Sequence, residues 1–84
     1  MGVRVKKMLY RALCEREEGK DYVKTLNEIT YLAMGIDEEY REEYGFLMFF
    51  YKLRTLDFLS YPHFRKLIFD LMGMLDRGEV NGFK

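Results

Sequence analysis

Apolar residues recur every three to four positions along most of this chain, and glycines at 19, 35 and 78 and the lone proline at 62 cut that pattern into segments. A period near 3.6 lets a helix bury one face, whereas a half-buried strand needs strict alternation. The pattern therefore predicts an all-α fold. Val5, Met8, Leu9, Ala12 and Leu13 form one stripe of a first helix over residues 3–18 that Gly19 ends. Asp21 is placed to cap a second helix, in which Tyr22, Leu26, Ile29 and Ala33 share a face and Lys24, Asn27, Glu28 and Tyr31 share the other until Gly35.

A third helix is expected from Glu38, with Asp37 as its capping residue and Glu38 and Glu39 at the positive end of its dipole. It can run to Leu59, but Gly45 lies inside it and costs about 1 kcal/mol relative to alanine, so a kink or break is expected there. The run Phe46 to Tyr51 also fits a buried strand by length; with no second β-branched run to pair with, helix is favoured. A fourth helix starts at Pro62, tolerated in a first turn, and buries Phe64, Leu67, Ile68, Leu71 and Leu75 before Gly78. Glu79 to Lys84, with Asn81-Gly82, reads as a turn and a frayed end. The expected architecture is a compact antiparallel bundle of four helices in a single domain over residues 1–84, with the third helix central.

That third helix has two apolar sides. At 100° per residue, Phe46, Phe49, Leu53 and Leu56 fall on one side, with Phe50 at its edge, and Leu47, Tyr51 and Phe58 fall nearly opposite. A chain of 84 residues buries only about 63% of its unfolded surface, so three other short helices are not expected to cover both sides. Phe69 and Met72 of the fourth helix likewise project away from its core stripe. Four such side chains, each contributing roughly 1.5 to 3 kcal/mol on burial, give association a gross drive on the order of 6 to 12 kcal/mol. Leu47, Tyr51, Phe58, Phe69 and Met72 are the expected self-association residues, and a dimer is the favoured oligomer.

Composition narrows the function classes. The chain is 49% hydrophobic and 17% aromatic, with fourteen basic and fourteen acidic side chains, so it folds and carries no global field to attract nucleic acid or anionic lipid. Charged residues dominate while glutamine is absent, a thermophile-like bias. One Cys forms no intrachain disulfide, and one His with one Cys makes the usual metal cages impossible. No apolar stretch follows Lys6-Lys7 as a signal peptide would require, and the longest apolar run has six residues, far short of a membrane span. A cytoplasmic protein with no membrane partner is expected.

Few residues invite chemistry. Arg4, Lys7 and Arg11 line one face of the first helix as a candidate contact for an anion or a protein partner, although pairing of Arg11 with Glu15 can neutralise part of it. Asp37, Glu38, Glu39, Glu42 and Glu43 form a complementary acidic cluster without the Glu-x-x-His spacing of helical di-iron sites. Residues 26–36 followed by an acid-capped helix outline a helix-turn-helix, but Tyr31 is too large at the crossing position and the following helix would turn glutamates toward phosphates. Cys14 and His63 lack partners in sequence for a nucleophile or triad. No catalytic residue, cofactor or metal is expected. The reading is a non-enzymatic interaction or scaffold protein; the alternatives are a nucleic-acid-binding regulator using a dimer's basic first helices and a helical binder of small molecules.

Overall fold

The first expected helix, α1, forms over Gly2–Glu17 in a computed structural model that describes residues 1–84. It buries Val5, Met8, Leu9, Ala12 and Leu13, as the apolar spacing predicts. Gly19 then adopts φ +73, a left-handed conformation that costs glycine nothing sterically. There the Lys20 N–H bonds the Glu15 carbonyl and the Gly19 N–H bonds that of Arg16, satisfying carbonyls that the helix end leaves free. Gly78, at φ +68, closes the last long helix with the same pair of bonds, Glu79 to Met74 and Gly78 to Leu75. The second helix, α2, spans Tyr22–Met34, and the Asp21 carboxylate accepts from the Lys24 N–H at 3.3 Å in the expected cap.

The third expected helix is divided. Glu38–Arg41 is a single-turn helix, α3; Tyr44–Thr55 is α4; and Leu56–Phe58 tightens into a 3-10 turn. Residues 46–51 are thus helical. The break falls at Glu42 and Glu43, before Gly45, with Glu43 in an extended conformation (φ −73, ψ 147). Asp37 occupies the position ahead of α3 but its side chain accepts no capping bond, which corrects the expected cap. After Ser60, α5 runs over Tyr61–Asp76 with Pro62 in its first turn and buries Phe64, Ile68 and Leu71 as expected; the expected Leu67 and Leu75 are only partly covered, and Met74 is buried in addition. The count is therefore five helices, not four, and the chain contains no strand.

Gly45 has a different task from the expected kink. A Cβ built on it would lie 1.9 Å from the carbonyl oxygen of Glu79, closer than any side chain can approach. The C-terminal segment passes directly over the first turn of α4, and only glycine leaves it room. The tail accordingly does not fray. Asn81–Phe83 forms a 3-10 turn, and Val80 and Phe83 are each only 2% exposed. The Phe83 ring meets Phe49 edge to face at 5.4 Å, and the Asn81 side-chain N–H donates to Glu43 at 3.0 Å. Two apolar side chains spaced three apart outweigh the turn-forming Asn81-Gly82 between them.

Nineteen buried side chains make one core: fifteen from α1, α2, α4 and α5, together with Ile36, Leu56, Val80 and Phe83. Its axis is α1, which packs extensively on both α2 and α5; α4 makes smaller contacts with α2 and α5. The expectation that the third helix is central is therefore corrected. The chain's radius of gyration, 12.0 Å, is that of a compact fold of this length. Ion pairs tie the helices at their margins: Lys6 to Asp76 at 2.9 Å, Arg11 to Glu28 at 3.2 Å and Lys52 to Asp70 at 2.7 Å.

Helix propensity alone says that Gly45→Ala stabilises α4 by about 1 kcal/mol. The close approach of Glu79 reverses that sign. Gly45→Ala is expected to lower the unfolding free energy by about 2 kcal/mol or more, as measured by urea denaturation, because the tail must lift.

Candidate functional site

Two surfaces stand out, and they lie on different parts of the molecule. The first is the outer face of α4. Phe46, Phe49, Leu53 and Leu56 turn inward and are buried. Leu47, Tyr51 and Phe58, on the opposite side, are 53%, 67% and 87% exposed, and Tyr44 extends the row at 77%. Tyr44 precedes Leu47 by three positions and belongs to the same helical face; the spacing rule finds it only when the stripe is begun before Gly45 rather than after it. Arg54 lies on this face without a carboxylate partner, and the Lys52–Asp70 pair closes the flank toward α5.

Phe69 and Met72, expected to share this association surface, are elsewhere. Asp70 reaches across to α4, whereas Met72 lines a groove against α1. Phe69, three residues before Met72, is 41% exposed and lies beneath the Arg65 guanidinium at 4.9 Å. The five residues thus do not form one surface: Leu47, Tyr51 and Phe58 stay together, Met72 lines the groove, and Phe69 belongs to neither, because α4 and α1 pack on different parts of α5.

The groove beside Met72 is the second surface. It encloses about 710 Å³ between the first half of α1, the end of α5 and the tail. Val3, Tyr10, Met72, Leu75, Val80 and Phe83 give it an apolar lining, and Lys6, Lys7, Arg11, Asp76 and Lys84 bring the charges. Of the expected basic row, Lys7 and Arg11 reach the groove and Arg4 does not. Arg11 pairs with Glu28 of α2, and Glu15 accepts from the buried Thr25 hydroxyl at 2.5 Å. The expected Arg11–Glu15 pairing is replaced by contacts across helices, since α2 lies along that side of α1.

The acidic cluster does not converge on a site. Glu38, Glu39 and Glu42 are exposed on and beside α3, and Glu43 is held by Asn81. As a helix of four residues, α3 is only about 6 Å long, too short to lie along a major groove as a recognition helix does. Cys14 is half-buried. His63 is exposed, with Nδ1 2.9 Å from the Ser60 hydroxyl in the first turn of α5.

One cluster was not anticipated. The Arg16 guanidinium sits over Phe64 at 4.5 Å, with Tyr22 at 5.2 Å and Tyr61 at 6.0 Å, and its Nη1 has no hydrogen-bond partner. The negative faces of the rings stabilise the cation in place of an acceptor. A signal was present: Arg16 follows Leu13 by three and Leu9 by seven, which continues the buried stripe of α1. Beside it, the Tyr61 hydroxyl donates to Glu17 and ties the start of α5 to the end of α1.

The bond to Glu17, with some loss of hydration and the neighbouring negative charge, raises the Tyr61 pKa above the ordinary 10.0. A raised folded-state value means that this contact stabilises the protein fully below pH 10 and is lost as pH rises through the higher value. In a 295 nm absorbance titration one of the seven tyrosines is expected to ionise late, and Tyr61→Phe is expected to remove that lagging component. The stability gap between the parent and Tyr61→Phe should close in the same alkaline window.

The chain matches no family model, no curated protein and no solved structure.

Proposed function

We propose that this chain is a small non-enzymatic interaction protein that self-associates, as a dimer, through the outer face of α4. The observation that carries the reading is the row Tyr44, Leu47 and Tyr51 along α4 with Phe58 in the 3-10 turn that follows it, each more than half exposed and opposite to side chains that are core. The amount of surface is ordinary: 5318 Å² against about 5300 Å² for a monomer of 10.2 kDa. Its distribution is not ordinary. Solvent-facing helix surface is normally polar, and a contiguous apolar row marks either a contact surface or an aggregation liability.

The row spans about 21 Å at 1.5 Å per residue, long enough to seat a second helix of the same kind. A standard interface takes about 800 Å² from each partner, roughly 15% of this protein's 5318 Å². With full burial of such a side chain giving about 1.5 to 3 kcal/mol, covering the row on two copies contributes on the order of 8 to 17 kcal/mol at these exposures. Association costs roughly 4 to 15 kcal/mol in lost freedom. With the drive at the middle of its range, about 13 kcal/mol, and the cost near its lower end, about 5 kcal/mol, about 8 kcal/mol is left, which corresponds to a dimer at micromolar concentrations, self-complementary about a two-fold axis. Tyrosine suits such a surface because it buries a large ring at low entropic cost while keeping a polar tip.

Sedimentation or light scattering at about 50 µM is expected to give a mass near twice 10.2 kDa. Leu47→Glu with Tyr51→Glu is expected to return it to the monomer without loss of helical circular dichroism, since neither side chain enters the core. A parent protein that stays monomeric at that concentration overturns the proposal.

A further inference from the structure

The groove between α1, α5 and the tail shares no residue with α4. Its volume, about 710 Å³, lies within the range of small-molecule sites rather than that of a flat contact. A simple inorganic ion would leave the apolar part of the lining unused. The charges then select the sign of what enters. Asp76 neutralises Lys6 at 2.9 Å, and Glu28 neutralises Arg11 at 3.2 Å. Lys7 and Lys84 border the same groove with no carboxylate partner, in a protein whose net charge is zero. An occupant must therefore offer apolar surface to the floor formed by Met72, Leu75, Val80 and Phe83 and negative charge to the two free ammonium groups.

We infer that this groove binds a free single-chain amphiphilic carboxylate, with its hydrocarbon chain along the Met72–Leu75 floor and its carboxylate at Lys7 and Lys84. A cation of equal chain length would meet the same floor but two like charges at the rim. A neutral chain would gain nothing from the two exposed ammonium groups.

The test is calorimetric titration of the whole chain with decanoate, and separately with decyltrimethylammonium, both below micelle formation. Saturable one-to-one binding of decanoate is expected, at least about tenfold tighter than the cation. Lengthening the carboxylate should tighten binding by about two- to fourfold per methylene until the groove is filled. Lys7→Glu with Lys84→Glu, both exposed, should weaken decanoate about tenfold and strengthen the cation. Val3→Trp, at an exposed lining position, should block both. Leu47→Glu with Tyr51→Glu should leave decanoate binding unchanged, which separates this site from the outer face of α4. The inference is overturned if decanoate does not saturate, if both surfactants bind alike, or if the α4 variant rather than the groove variants abolishes binding. Capture by anionic vesicles or by an acidic amphipathic peptide, without binding of monomeric decanoate, also overturns it.

Discussion

The five apolar side chains that α1 places between α2 and α5 are the contact on which the remaining structure depends. Val5, Leu9 and Ala12 are fully buried there, and no other pair of helices packs as extensively as α1 does with each of these neighbours. Because the best-covered position belongs to α1, α4 is left near the margin and receives cover on one side only. The tail supplies part of that cover: Val80 and Phe83 close over Phe49, and the path of the tail is permitted by the missing side chain at Gly45. A change in any of these contacts would alter how much of α4 meets water.

This arrangement separates the molecule into a sealed interior and two unlike open surfaces. The outer face of α4 carries three exposed aromatic rings and Leu47 beside a single charge, Arg54, which suits association with a like surface. The groove beside α1 is apolar at its floor and cationic at its rim, which suits an amphiphile of opposite sign. Both arise from the same limitation: a chain of 84 residues has enough helix to enclose one core but not enough to cover every apolar row it carries. No helix is long and apolar enough to cross a membrane, so the uncovered rows are not explained by a bilayer span.

Much of the secondary structure was legible. The stripes of α1, α2 and α5 follow from residue spacing, the left-handed stops at Gly19 and Gly78 from the chemistry of glycine, and the cap at Asp21 from its carboxylate. The two sides of α4 were also legible, because a helical projection separates Phe49 from Leu47 whatever packs on them. Errors arose where a local rule met a distant partner. By local rules Gly45 is a weak point in a helix, but its role is set by Glu79, 34 positions away in the chain. The turn-forming residues between Val80 and Phe83 point locally to a frayed end, and a cation within an apolar stripe, such as Arg16, gains meaning only once three rings surround it.

The sequence by itself determined that the chain is helical, where most helices begin and end, and which rows of side chains cannot all be hidden, since these follow from a 3.6-residue period, from φ preferences and from the ratio of surface to volume. Tertiary structure alone decided which row stays open. It also decided that α1 and not α4 lies at the centre, that the acidic segment stops after one turn, and that Lys7 and Lys84 border the same groove. Those outcomes depend on pairings between residues far apart in the chain, whose energies are fixed by mutual fit and by competition for a limited amount of cover, and neither quantity is written in local spacing.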